Sequence, residues 1–149
     1  MKEAGSFIKG TESNWVIKFK GETAGRIGIH YIQQQNKTGA IGYWLGKEFE
    51  GKGIVSMACK AVLDHCFTVL HLNKVELKCG TADMKRAAIS DWLHFTKEGV
   101  LRQAEALNGK VIDRSLYAML KEEWFSIQQW KRIIYSGTRL HLIFFTGIY

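Results

Sequence analysis

Glu50-Gly51-Lys52-Gly53-Ile54-Val55 decides the fold. The stretch lies between a strand-like run, Ala40 to Leu45, and a helix-like run that begins near Ile54. A glycine-rich turn entering a helix presents unpaired backbone N–H groups at the positive end of the helix dipole. That arrangement holds a phosphate or pyrophosphate. It is not a nucleoside-triphosphate loop, because Gly-Lys-Gly-Ile lacks the Gly-Lys-Ser/Thr ending.

Working outward, the chain on the N-terminal side reads as strands. Trp15, Ile17 and Phe19 alternate with Val16 and Lys18, Gly21-Glu22 makes a turn, and Ala24 to Ile32 resumes, so the two form a hairpin. Gln33 to Gly39 is a polar connection to the third strand, Ala40 to Leu45. On the C-terminal side the period changes. Ile54, Ala58, Val62, Cys66 and Val69 lie three or four apart and make one apolar helical face. Val75, Leu77 and Cys79 then alternate as a strand, which completes a βαβ unit with a parallel pair and a right-handed crossover. A short helix is predicted over Lys85 to His94, with strands Val100 to Ala106 and Val111 to Leu120 joined at Asn108-Gly109. The fold class is α/β: a mixed, mostly antiparallel sheet around one central parallel pair.

The whole-chain numbers set limits. The 149 residues suggest one domain with a real core, and 46% hydrophobic with 23% charged residues is ordinary globular composition. A net charge of +7 favours an anionic partner, but the basic residues are spread without aromatic interleaving, which argues against nucleic acid. No apolar run approaches the roughly 20 residues that cross a bilayer, and the start lacks a signal-like stretch, so neither membrane nor secretion is expected. Cys59, Cys66 and Cys79 lack metal-ligand spacing and read as reduced thiols in a cytoplasmic protein. The five histidines show no ligand spacing either, and no metal is expected. Trp44 and Trp92 read as packing residues.

The motifs resemble the GNAT acetyltransferases, specifically the bacterial ribosomal-protein serine N-acetyltransferases. The matching pieces are Gly42-Tyr43-Trp44-Leu45, the Glu50 to Val55 turn, Asn73 to Cys79, His94 to Gly99, Leu101 to Gly109, Asp113 to Tyr117 and Glu122-Glu123-Trp124. The resemblance covers roughly Phe7 to Trp124, and it implies a GNAT domain over 1–124 followed by a non-family tail, 125–149. It also implies acetyl-CoA as cosubstrate. The amides from Gly51 to Val55 would hold its pyrophosphate, and the strand end at Trp44 and Leu45 would pair with the pantetheine arm. The acceptor would be a protein N-terminal amine or a small amine.

Glu105, in Gln103-Ala104-Glu105, matches the family's proposed general base. The proposed acid, a serine, aligns with Arg86, which leaves Tyr117 as the hydroxyl able to protonate the departing thiolate. Arg86 could instead contact a phosphate. Departures from the family pattern fall at the cofactor site. Glu50 and Asp83 place carboxylates where the family has Gln or Arg and Asn, and Glu50 should weaken pyrophosphate binding unless Lys52 compensates. A proline usual in the short helix is Ser90.

The resemblance implies that the first strand and first helices of the family would be missing ahead of this sequence, and the tail, including the β-former run Leu140 to Phe145, resembles nothing in it. The expectation is a truncated or rearranged gene product with an out-of-frame tail. One alternative is a remnant that keeps the fold, and coenzyme A binding, without turnover; another is a small basic binding protein. Whether the sheet folds alone or takes a homodimer partner along its edge at Trp15 to Phe19 stays open.

Overall fold

The computed structural model describes residues 13–134, with side chains described from 13 to 128. One six-stranded sheet runs in the order β1-β2-β3-β4-β6-β5. Strands β1 (Ser13–Phe19) and β2 (Glu22–Gln33) form the expected hairpin. It turns on Lys20-Gly21, one residue earlier than the sequence suggests, with φ of 50° and 83° at those positions. Positive φ at both central residues gives the mirror-image turn whose twist matches the flanking strands. Asn108-Gly109, at 51° and 78°, repeats the device between β5 (Thr96–Leu107) and β6 (Lys110–Leu120).

Strand β3 (Thr38–Leu45) is antiparallel to β2 and parallel to β4 (Lys74–Gly80), so the single parallel pair lies at the centre as expected. Between them α1 (Ile54–Thr68) crosses one face of the sheet. Helix α2 (Met84–Trp92) follows β4, and α3 (Lys121–Ile134) follows β6 without a break. The described part thus has antiparallel strands on both sides of one parallel pair.

The core lies on one face. Ile17, Ile27, Ile29, Ile41, Val75, Leu77, Cys79, Tyr117 and Met119 of the strands meet Ile54, Val55, Ala58, Cys59, Val62, Leu63, Cys66 and Phe67 of α1. Trp124 of α3 seals it, its ring 6.5 Å from that of Phe67. The opposite face carries Ala40, Gly42, Glu76, Lys78 and Arg114, by the two-residue alternation of paired strands.

Three sequence expectations are corrected. Helix α1 stops at Thr68, and Val69, 58% exposed, caps it rather than joining its apolar face. Trp44 and Trp92 are 64% and 55% exposed, so neither is a packing residue. Strand β5 begins at Thr96, not Val100, because irregularities at Lys97/Gly99 and Leu101/Glu105 break the alternation that marks a strand. Helix α3 runs on past Trp124, and its Glu122 and Glu123 favour a helix start. The Leu140 to Phe145 run lies outside the described residues.

Candidate functional site

The parallel pairing of β3 and β4 stops early. It runs from Thr38↔Lys74 to Ile41↔Leu77, while β3 continues to Leu45 and β4 to Gly80. The two strands diverge over their carboxyl ends, so backbone groups of Gly42 to Leu45 on that edge have no strand partner. A crevice at the carboxyl ends of parallel strands is where α/β sheets bind ligands.

The glycine turn closes one side of this crevice. Gly51 and Gly53 have φ of 77° and 73°, which glycine alone adopts freely, and a Cβ at either would meet no atom within 4 Å. The approach to the turn is open. Gly53 is the N-cap of α1 and no side chain caps the helix, so its first amides are left for another acceptor. Glu50, the acidic departure, forms an ion pair with Lys85 at 2.8 Å. This bond holds the Glu50 carboxyl below, and the Lys85 ammonium above, their ordinary values. The cation paired with Glu50 is Lys85, while the Lys52 ammonium sits 5.6 Å from the Phe19 ring centre. Sequence reading missed Lys85 because it is 35 residues away and only the fold joins the two.

The start of α2 closes the other side. Asp83 is its N-cap, accepting from the Arg86 amide at 3.2 Å, and its second oxygen lies 3.5 Å from Arg86 Nε. The Arg86 guanidinium stacks on the Tyr43 ring at 4.5 Å and donates from Nη2 to the Tyr43 carbonyl at 3.0 Å, on the unpaired part of β3. It also lines a cavity on the open face of the sheet, so the side chain threads the gap between the diverging strands. Ser90, in place of the family's proline, turns its buried hydroxyl onto the Arg86 carbonyl at 3.1 Å.

The hairpin of β5 and β6 supplies Glu105. The irregularity between Leu101 and Glu105 is pinned by Asp113, whose Oδ1 accepts from the Gln103 amide at 2.8 Å, with Gln103 at a φ of 47°. A bulge re-aims the residues beside it. Glu105 consequently meets Arg114, Oε2 to Nε at 3.3 Å, and Arg114 Nη2 donates to the Lys78 carbonyl at 3.0 Å. Arg86 and Arg114 thus each cap a carbonyl on one of the two diverging strands. Tyr117 stands on the other face, buried, with burial pushing its phenol up. Tyr43, which sequence reading quoted only as part of a motif, has a buried hydroxyl with no hydrogen-bond partner and lies at the gap itself. Burial drives its phenol well above the ordinary value, against the opposing pull of Arg86.

The cavity measures about 660 Å³ and is floored by Thr38 to Gly42. Its walls include His30 and Tyr31 of β2, Glu76 and Lys78 of β4, and the two arginines. Of the twelve sequence-predicted site residues, the structure sets Glu50 to Val55 on one rim of the crevice and Asp83 and Arg86 on the other. Trp44 and Leu45, paired with β2, lie on the stretch of β3 that has no β4 partner. Glu105 reaches the site through Arg114, and Tyr117 lies one strand away, paired with Leu77.

Comparison with known proteins agrees with this geometry. Residues 2–96 match the model of the acetyltransferase (GNAT) domain. YdaF of Bacillus subtilis (strain 168), provisionally assigned as a ribosomal N-acetyltransferase, is 37% identical over 72% of this chain and 59% of its own. The ribosomal-protein-serine acetyltransferase of Escherichia coli (strain K12) is 33% identical over 75% of this chain and 63% of its own. The chain spans about three fifths of the length of these curated relatives. Among solved structures, the ribosomal L7/L12 alpha-N-protein acetyltransferase RimL in complex with coenzyme A superposes with a TM-score of 0.73. It is 32% identical, over 76% of this chain and 64% of that one. The microcin C7 self-immunity acetyltransferase MccE, in complex with acetyl-CoA and AMP, reaches 0.69 at 36% identity, over 74% and 61%. The diverging parallel strands, the uncapped glycine turn and the matched domain together show that this chain belongs to the GNAT acetyltransferase family.

Proposed function

We propose that the chain is an N-acetyltransferase that moves an acetyl group from acetyl-CoA to a primary amine, with a protein N-terminus as the leading acceptor. The observation that carries the proposal is the coincidence, at one end of the gap, of an uncapped helix start and an unpaired strand edge. Amides from Gly51 to Val55 take the pyrophosphate, with Lys85 offsetting Glu50. The backbone of Trp44 and Leu45 offers the pantetheine arm a strand to pair with. Asp83, as the helix cap that also braces Arg86, shapes that rim rather than meeting a phosphate.

Acetyl-CoA, when bound, supplies an activated acyl carbon and a thiolate leaving group. The residues of this chain supply position and proton traffic. Holding the amine against the acyl carbon makes the step effectively unimolecular. Glu105, aimed by the Asp113-pinned bulge, receives the ammonium proton, directly or through water. Tyr117 is the expected hydrogen-bond donor to the thiolate. Tyr43 is a second such hydroxyl, already at the gap and without a partner. Both phenols are protonated at neutral pH, as a donor must be, and burial moves them further from ionising.

Thiol release from acetyl-CoA over a panel of amines and N-terminal peptides tests the reading. Glu105→Gln should lower kcat by about 10²–10⁴-fold, the usual contribution of a general base. An unchanged rate would remove Glu105 from that role. Tyr117→Phe and Tyr43→Phe, assayed side by side, assign the thiolate partner to whichever variant loses kcat at constant KM.

A further inference from the structure

The open-face cavity is lined by three cations, Lys78, Arg86 and Arg114, each beside one carboxylate: Glu76 3.9 Å from Lys78, Asp83 from Arg86 and Glu105 from Arg114. The two guanidiniums are fixed in the same way. Each anchors Nη2 on a strand carbonyl at 3.0 Å and rests Nε beside a carboxylate, Asp83 at 3.5 Å or Glu105 at 3.3 Å. Neither Nη1 has a hydrogen-bond partner among the described residues. The side chains are only 33% and 27% exposed, so two guanidiniums are held half-buried, with donors left over. A half-buried guanidinium with free donors is a site for carboxylate or phosphate oxygens. Glu76 and Glu105, on the same face, offer the opposite charge to an ammonium group.

Resting on the acetyl-transfer reading above, we infer that the preferred acceptor carries an anionic group within a few atoms of its amine. The carboxylate or phosphate docks on Arg86 and Arg114 while the amine faces Glu105. A peptide N-terminus with an acidic second residue and a free acidic amino acid share this chemistry. A polyamine does not: it has no anion for the unused guanidinium donors and would set further cations beside Lys78 and both arginines.

Calorimetry with the full chain saturated with coenzyme A tests this. The acceptors are the amidated dipeptides Ser-Asp, Ser-Asn and Ser-Lys, with free aspartate as the small-molecule arm. Ser-Asp should bind about tenfold or more tightly than Ser-Asn, the worth of one charge-assisted hydrogen bond pair, and Ser-Lys more weakly than either. Aspartate binding above Ser-Asp would assign the site to small molecules, and the reverse to peptide ends; both outcomes support the inference. Arg114→Gln should abolish the Ser-Asp advantage and Arg114→Lys should keep part of it. Equal affinity for Ser-Asp and Ser-Asn, or a preference for Ser-Lys, overturns the inference with no variant needed. If coenzyme A does not bind, the acetyl-transfer reading fails, and the same dipeptide ranking on the free protein still decides the charge preference of the cavity.

Discussion

Gly53 sits at a φ of 73° with open space where a Cβ would point, so two effects of a side chain separate there. Gly53→Ala meets no clash and should cost about 1–2 kcal/mol of stability through the left-handed backbone alone. Its methyl would occupy the open approach to the uncapped amides, so coenzyme A affinity should fall by more than the stability does. Thermal melts and calorimetry on the same variant check both halves. The Glu50–Lys85 pair makes a sharper prediction. Lys85→Ala should weaken coenzyme A several-fold by leaving Glu50 uncompensated, and the double change with Glu50→Gln should restore it; no restoration would show that Lys85 acts on the ligand by itself. The pair also sets a pH window. Glu50, depressed, keeps its contact above the ordinary carboxylate value and loses it as pH falls through the lowered one. Lys85, raised, loses it only as pH rises through the raised value, so the contact spans neutral pH.

At the scale of elements, the strands of the central unit were legible because their alternation is clean: Val75, Leu77 and Cys79 bury one side while Glu76 and Lys78 face the other. Strand β5 was half-hidden for the converse reason. Its bulges shift the register twice, and no two-residue period survives a bulge. The same bulge sets the site, so Asp113→Ala, which removes the acceptor of the Gln103 amide, should lower kcat while costing only about 1 kcal/mol of stability. Chemical denaturation beside steady-state kinetics separates these effects. Lys85, Arg114 and Tyr43 were not legible as site residues, since their partners Glu50, Glu105 and Arg86 are distant in sequence or on another element. Helix α3 continues past Glu122-Glu123-Trp124, where the family motifs end. Its anchor, Trp124, is buried against Phe67, so Trp124→Ala should cost about 3–5 kcal/mol. A variant as stable as the parent would mean that α3 is not part of the folding unit.

The whole described molecule is one sheet with its core on one face and its charged cavity on the other. All three cysteines belong to the core. Burial pushes the Cys59 thiol up to about 12 and raises those of Cys66 and Cys79. The native protein at pH 8 should therefore leave a thiol reagent unreacted until denaturant is added, and fast native labelling would contradict the packing of α1 against β4. Among the described residues no helix is long and apolar enough to cross a membrane. The net charge of +7 indicated an anionic partner without naming one; the proposed reading places one anion at the uncapped turn and another at the two guanidiniums. Both depend on the gap where β3 and β4 part, and its first occupant is tested by titrating acetyl-CoA into the protein by calorimetry. A saturable one-to-one heat with Kd below about 1 mM, beyond about −4 kcal/mol, is predicted, and it should weaken in Gly53→Ala. No heat at millimolar acetyl-CoA would contradict the account at its centre.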